Sequence, residues 1–262
     1  MEPKHQSASG LTGRKAFAGG LVILSALLLV VFYIMFSIGG EKETGSQPSA
    51  NYQILSGFNY TLDGAQELVN LCLKRSMTYN LLLFGRRGGV MDLTDPFVPK
   101  AKTSLLLDKG IVRMPNKEAA QKALSDPIKN GMDQCVAGLS LFKKRGFDVI
   151  LNGEPSVRVA ITSGSVEAYY TYPFTITKGK KQKSYQNFAY KAPVRLGEMI
   201  DASSNIINFA KERPEDADLS ALMDSGLETI FFSMEGSDVI VIRDLDNNVD
   251  GAPYEFWFGM RK

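Results

Sequence analysis

Residues 166–194 read VEAYYTYPFTITKGKKQKSYQNFAYKAPV. The first run alternates: Tyr170, Tyr172, Phe174 and Ile176 share one face, with Thr171, Thr175 and Thr177 on the other. Side chains that switch faces at every residue are the mark of a strand. Residues 178–183 (KGKKQK) read as a hairpin loop, and 184–194 as the returning strand. A long hairpin of this kind commits the chain to antiparallel pairing. Further strand patterns lie at 148–151, 157–162, 228–233, 239–243 and 254–260. Gly236 and Asp250-Gly251 are good turn signals between the last three.

Upstream the period changes. Residues 63–84 look helical, with Leu68, Cys72, Tyr79 and Leu83 at helical spacing and Gly85 as the stop. Residues 116–125 form a second helical stretch. Pro127 then starts a further helix, capped by Ser125 or Asp126, whose apolar stripe is Ile128, Met132, Cys135, Leu139 and Phe142. Lys143, Lys144 and Arg145 suit its C-terminal dipole, and Gly146 ends it. Leu196, Met199, Ile200, Ser203, Ile207 and Ala210 describe a helix ended by Pro214. Residues 219–224 read as a short helical piece. Seven strands joined by hairpins, with four or five helices, predict an α+β fold with a helical N-terminal half and a mostly antiparallel sheet.

The N-terminal region is different. Residues 16–38 (AFAGGLVILSALLLVVFYIMFSI) carry no charge. At about 1.5 Å per residue such a helix spans the roughly 30 Å hydrocarbon core of a bilayer. Lys4, Arg14 and Lys15 precede it, and Glu41, Lys42 and Glu43 follow. The basic flank predicts a cytoplasmic tail over 1–15 and an extracytoplasmic chain beyond the span. Residues 39–52 read as a polar stalk and 53–262 as the outer domain. The run is longer than the apolar core of a cleaved signal, so an uncleaved signal-anchor is expected in the cell membrane. Arg14-Lys15-Ala16 looks like a site for archaeal prepilin peptidases, but the Glu usual a few residues into a pilin's apolar run is missing.

Composition narrows the chemistry. The 262 residues hold 30 Lys+Arg against 28 Asp+Glu, a net charge of +2. That balance argues against nucleic acid as a partner, and no cofactor is expected. The single histidine, His5, falls in the predicted tail, so the outer domain lacks a Ser-His-Asp set or a His-ligated zinc. No catalytic residue is assigned. Glu167, Glu198 and Glu255 are available carboxylates, with nothing in their spacing to pair them.

Cys72 and Cys135 each sit on an apolar helix stripe. Helices packed by those stripes bring the thiols together, and an oxidising compartment then favours a disulfide; two reduced core cysteines are the alternative. Asp246, Asn248 and Asp250 match the first half of a calcium loop, yet Trp257 falls where the bidentate acid belongs. A polar hairpin turn is the plainer reading, and no metal is assigned. Gly85-Arg86-Arg87-Gly88-Gly89 could form a backbone anion nest, or simply a helix stop. The KGKKQK loop could touch anionic lipid or polymer, or be a solvated tip. Asn59-Tyr60-Thr61 is a glycosylation sequon.

Several segments together resemble a group of single-pass, membrane-anchored proteins of small-genome (DPANN) archaea. They are the anchor, LVNLCLKR, LFGRRGG, DQCVAGLSLFKKRGFDV, the hairpin closing on KAPVRLGEMI, and DGAPYEFWF. The resemblance covers roughly residues 63–262. It implies a two-cysteine core and surface exposure and carries no activity. The chain departs from the pattern at Asn70, where an acid is common, and at Arg87, where Gln is frequent. The expected function is a membrane-tethered extracytoplasmic domain, non-catalytic, binding a protein or surface-polymer partner or supporting envelope assembly. The alternatives are a cell-surface hydrolase using paired carboxylates and a pilin-like surface subunit.

Overall fold

The computed structural model describes residues 59–94, 96–212 and 226–261. All belong to the compact unit Asn51–Lys262. The predicted span 16–38, its tail 1–15 with His5, the stalk 39–52, Pro214 and the helical piece 219–224 lie outside the described residues. Among the described residues no helix is long and apolar enough to cross a membrane.

The unit is α+β. In chain order it contains α1 (Leu62–Arg86), β1 (Phe97–Val98), β2 (Thr103–Asp108), β3 (Ile111–Val112) and α2 (Lys117–Val136). A 3-10 turn (Ala137–Leu139), α3 (Ser140–Lys144), β4 (Asp148–Leu151), β5 (Ser156–Ile161), β6 (Val166–Lys178) and β7 (Lys181–Ala192) follow. The last elements are α4 (Leu196–Glu212), β8 (Leu227–Met234), β9 (Ser237–Val249) and β10 (Ala252–Arg261).

The strands make two sheets. In one, β6 is the middle: β7 lines one edge, while β4 and β5 share the other, β4 along its C-terminal half and β5 along its N-terminal half. Tyr170, Phe174 and Ile176 are buried as their alternation requires, and Tyr172 is half-buried. Pro173 has no N–H to donate to a ladder. The β6–β7 register slips between Thr171 and Phe174, a bulge that accommodates it. The loop is tighter than expected. Lys178 pairs with Lys181, so only Gly179 and Lys180 turn, and Lys181, Gln182 and Lys183 belong to β7.

The other sheet runs β1-β2-β10-β9-β8, with β3 also on β2. Its last three strands are the predicted hairpins, with Asp250 and Gly251 at φ 55° and 85° in one turn. Strands β1, β2 and β3 are additions to the expected set and interrupt the helical half. β2 is buried at all six positions, so it shows no alternation. It pairs with β10 in parallel, the one departure from antiparallel order among the described strands.

α1 lies against both sheets, touching β10 on one side and β6 and β7 on the other, with α2 packed across it. The helix buries a broader face than a single stripe, which explains one correction. Tyr79, expected on the apolar face, is 52% exposed, whereas Leu73, Met77, Leu81 and Phe84 are fully enclosed. Each such side chain stabilises the fold by roughly 1.5–3 kcal/mol through burial. Thr61 caps the helix, its Oγ1 accepting from Gly64 N–H at 2.9 Å.

α2 corrects the expected break at Pro127: the helix is continuous through it. Asn116 is the cap, its Oδ1 accepting from Ala119 N–H at 2.8 Å, and Ser125 instead donates its hydroxyl to Gln121 O at 2.8 Å. The apolar face continues past the proline through Leu124, Ile128 and Met132. That packing outweighs one missing backbone bond. Where α1 and α2 cross, Gly131 meets Ser76, whose hydroxyl donates to Ile128 O at 2.9 Å.

Candidate functional site

One turn from the Ser76–Gly131 contact, Cys72 and Cys135 form a disulfide with Cα atoms 5.7 Å apart. It closes 63 residues of sequence and ties α1 to α2. Cys72 is 1% exposed and Cys135 packs at the core's margin.

The Gly85–Gly89 stretch is a helix end. Arg87 N–H donates to Leu83 O, Gly88 N–H to Gly85 O and Gly89 N–H to Phe84 O. This is a Schellman stop with Gly88 at φ 74°, the left-handed position that glycine tolerates. The helix-stop reading holds, and the amides that could have formed an anion nest are spent on the helix. Arg86 lies over the Trp257 ring at 4.7 Å, and Arg87 Nη1 donates to Met91 O. Gly85 itself lies inside α1. A Cβ there would sit 2.3 Å from Glu255 O, so the residue serves close helix–sheet packing and not the stop.

The calcium candidate also resolves differently. Asp246 lies in a bulge of β9 and Asn248 pairs with Pro253, so the predicted loop is mostly strand. Arg195 Nη2 donates to Asp246 Oδ2 at 3.0 Å. Asp250 belongs to the β9–β10 turn. Among the described residues no three His, Cys, Asp or Glu side chains gather to hold a metal.

Arg195 is the hub that the bulge serves. Its Nη2 donates to the buried Asp244 Oδ1 at 2.6 Å, its Nε to the same oxygen at 3.1 Å, and its backbone N–H to Oδ2 at 3.2 Å. Asn247 Nδ2 adds a donor to Oδ2 at 3.0 Å. Burial alone raises a carboxyl's pKa, yet these donors hold Asp244 below its usual range. The pair locks the start of α4 to β9.

The three carboxylates available for hydrolysis lie on different elements and face cations. Glu167 accepts from Tyr169 and Ser165 and pairs with Lys191 at 3.1 Å; the Tyr169 bond, then Lys191, lowers its pKa. Glu198 is 4.0 Å from Arg195. Glu255 pairs with Arg243 at 2.7 Å and accepts from Trp257 Nε1 at 2.8 Å. Among the described residues, every carboxylate whose pKa moves (Asp63, Asp108, Glu167 and Asp244) moves down, the direction of a salt-bridge partner and opposite to a general acid.

A cleft of about 330 Å³ lies between the start of α2 and α4, lined by Asn116, Lys117, Ile200, Asp201 and Ser204 among others. Its polar groups engage one another: Lys117 pairs with Asp201 at 2.7 Å, and Asn116 caps α2.

Where α1 begins, several basic side chains gather. Tyr60 contacts Phe142 at 5.1 Å between ring centroids, and the Arg145 guanidinium covers Tyr60 at 4.5 Å. Phe142 packs on Phe147, and Lys178 Nζ lies 4.1 Å from the Phe147 ring centre. Lys183 pairs with Asp63 at 2.5 Å, and Tyr185 hydroxyl donates to Asp63 at 3.0 Å and to Leu62 O at 3.2 Å. The α3 terminus and the β6–β7 hairpin, 35 residues apart in sequence between Arg145 and Lys180, thus converge on the start of α1. The sequon residue Asn59 is exposed at this same end.

Comparison with protein-family models, curated proteins and solved structures finds no match to this chain.

Proposed function

We propose that the chain is a membrane-tethered domain on the extracytoplasmic side, acting by binding in surface or envelope assembly and not by catalysis. The observation that carries this reading is the Cys72–Cys135 disulfide. Structural disulfides persist in oxidising compartments and are rare in the cytosol. A chain read as anchored by residues 16–38, basic flank inward, puts these cysteines on the oxidising side. The resemblance to anchored two-cysteine proteins supports the same placement. The carboxylates fit the non-catalytic reading, since Glu167, Glu198 and Glu255 face cations on separate elements.

The test combines topology with thiol chemistry. Protease added to intact cells is expected to remove the mass beyond residue 52, and alkylation before reduction should leave both cysteines unlabelled. A protected C-terminal domain, or two freely alkylated thiols in the native protein, overturns the reading. Specific hydrolysis or group transfer by the purified protein would overturn its non-catalytic half.

A further inference from the structure

We propose that the basic end of the domain docks on anionic phospholipid headgroups of the bilayer that carries the chain. This deepens the proposed function and rests on residues 16–38 being the anchor. Lys143, Lys144 and Arg145 present exposed charge at the end of α3, and Lys178, Lys180, Lys181 and Lys183 do so around the hairpin. The acids nearby are Asp63, Glu67 and Asp148, and Asp63 is already engaged by Lys183 and Tyr185. The face therefore carries a net excess of positive charge in a chain that is nearly neutral overall.

Two cations are anchored over aromatic rings, Arg145 on Tyr60 and Lys178 on Phe147. Those rings sit in the connected set Tyr60–Phe142–Phe147, so the charges stand on a rigid base. Lys143, Lys144, Lys180 and Lys181 carry no ion pair among the described residues and remain available to phosphate. Beside the hairpin tip, Asp148 of β4 pairs with Thr177. Such a cluster of exposed cations supplies the electrostatic attraction of a peripheral lipid-binding surface.

Chain connectivity favours this occupant. The described residues begin at Asn59, on this same end, and 20 residues separate it from the close of the apolar run at position 38. A chain of that length reaches at most about 70 Å. The tether therefore makes docking an intramolecular event with a high effective concentration of lipid. Screening of exposed charge beyond about 8–10 Å makes the contact salt-sensitive.

The test uses the full chain reconstituted in phosphatidylcholine vesicles with and without phosphatidylglycerol. Lysine acetylation is read by mass spectrometry. Phosphatidylglycerol should slow labelling of Lys143, Lys144, Lys180 and Lys181 while leaving the exposed Lys100 unchanged, and high salt should abolish the difference. The K180Q/K181Q variant should restore labelling of Lys143 and Lys144, because losing two surface charges shifts such an equilibrium by about thirtyfold. Equal labelling on both vesicles overturns the proposal. Protection by a soluble acidic polysaccharide with none from phosphatidylglycerol also overturns it, in favour of a polymer. Flotation with pure phosphatidylcholine vesicles after an alkaline wash tests the anchor separately. A chain that floats yet shows no lipid-dependent protection keeps its tether and loses its docking face. One that fails to float yet is protected keeps the face and loses the tether.

Discussion

Asp244 has no exposed side-chain surface, and its partner Arg195 is 15% exposed. A buried carboxylate is tolerated only when its charge is met, here by three donors from Arg195 and one from Asn247. Removing one side of such a pair leaves an uncompensated charge, so Asp244→Ala is expected to cost about 3–5 kcal/mol, read from the denaturant midpoint. The sign of the pH dependence follows. The folded-state pKa lies below the usual value of 3.8, so the unfolded chain binds this proton more readily. The stabilisation is complete above the unfolded carboxylate range and is lost as pH falls through the depressed folded value. Asp244→Asn should flatten that acid limb, and an unchanged slope would mean another group controls it. None of this was legible beforehand. Residues 195 and 244 are 49 apart in sequence, and nothing in the sequence pairs them.

At the scale of elements, the disulfide makes the clearest prediction. Closing 63 residues restrains the unfolded chain by about 4 kcal/mol in the chain-entropy model. A reductant should lower the urea midpoint of the native protein and leave that of Cys72→Ala/Cys135→Ala unmoved; equal midpoints for the two proteins without reductant would show that the bridge adds nothing. The two cysteine helices were readable because amphipathic spacing survives wherever one face meets a core, as with Ile128, Met132 and Leu139. α1 was harder. Wedged between two sheets, it buries nearly every turn, and the stripe that included Tyr79 was too narrow. β2 (TSLLLD) carries no strand signature because burial on both faces erases alternation, and β1 and β3 are only two residues each. Pro127 misled for a different reason: a proline's local cost is visible in sequence, while the packing that overrides it is not. The basic end was half legible. KGKKQK announced its charge, but its approach to Arg145 and Tyr60 is a product of the fold.

For the molecule as a whole, the decisive arrangement is the place of the last strand. β10 lies between β2 and β9, holding the early strands to the late hairpins, and its Phe256 and Phe258 are fully buried. Tyr254 reaches α1, its hydroxyl donating to Leu81 O at 3.1 Å, and Arg261 Nε donates to Asp108 at 2.8 Å. A chain ending at residue 252 is expected to lose its cooperative unfolding transition, measured by near-ultraviolet circular dichroism. Survival of a sharp transition would show that β2 and the β8–β9 pair hold together without it.

That central position has a consequence for biosynthesis. Because β10 is made after both of its neighbours, synthesis must pass residue 261 before the sheet can close. Until then β2 and β9 wait with open edges. Quality-control proteases therefore have a simple criterion for an incomplete copy, and a stop codon just before residue 252 should be as damaging to this protein as one far upstream.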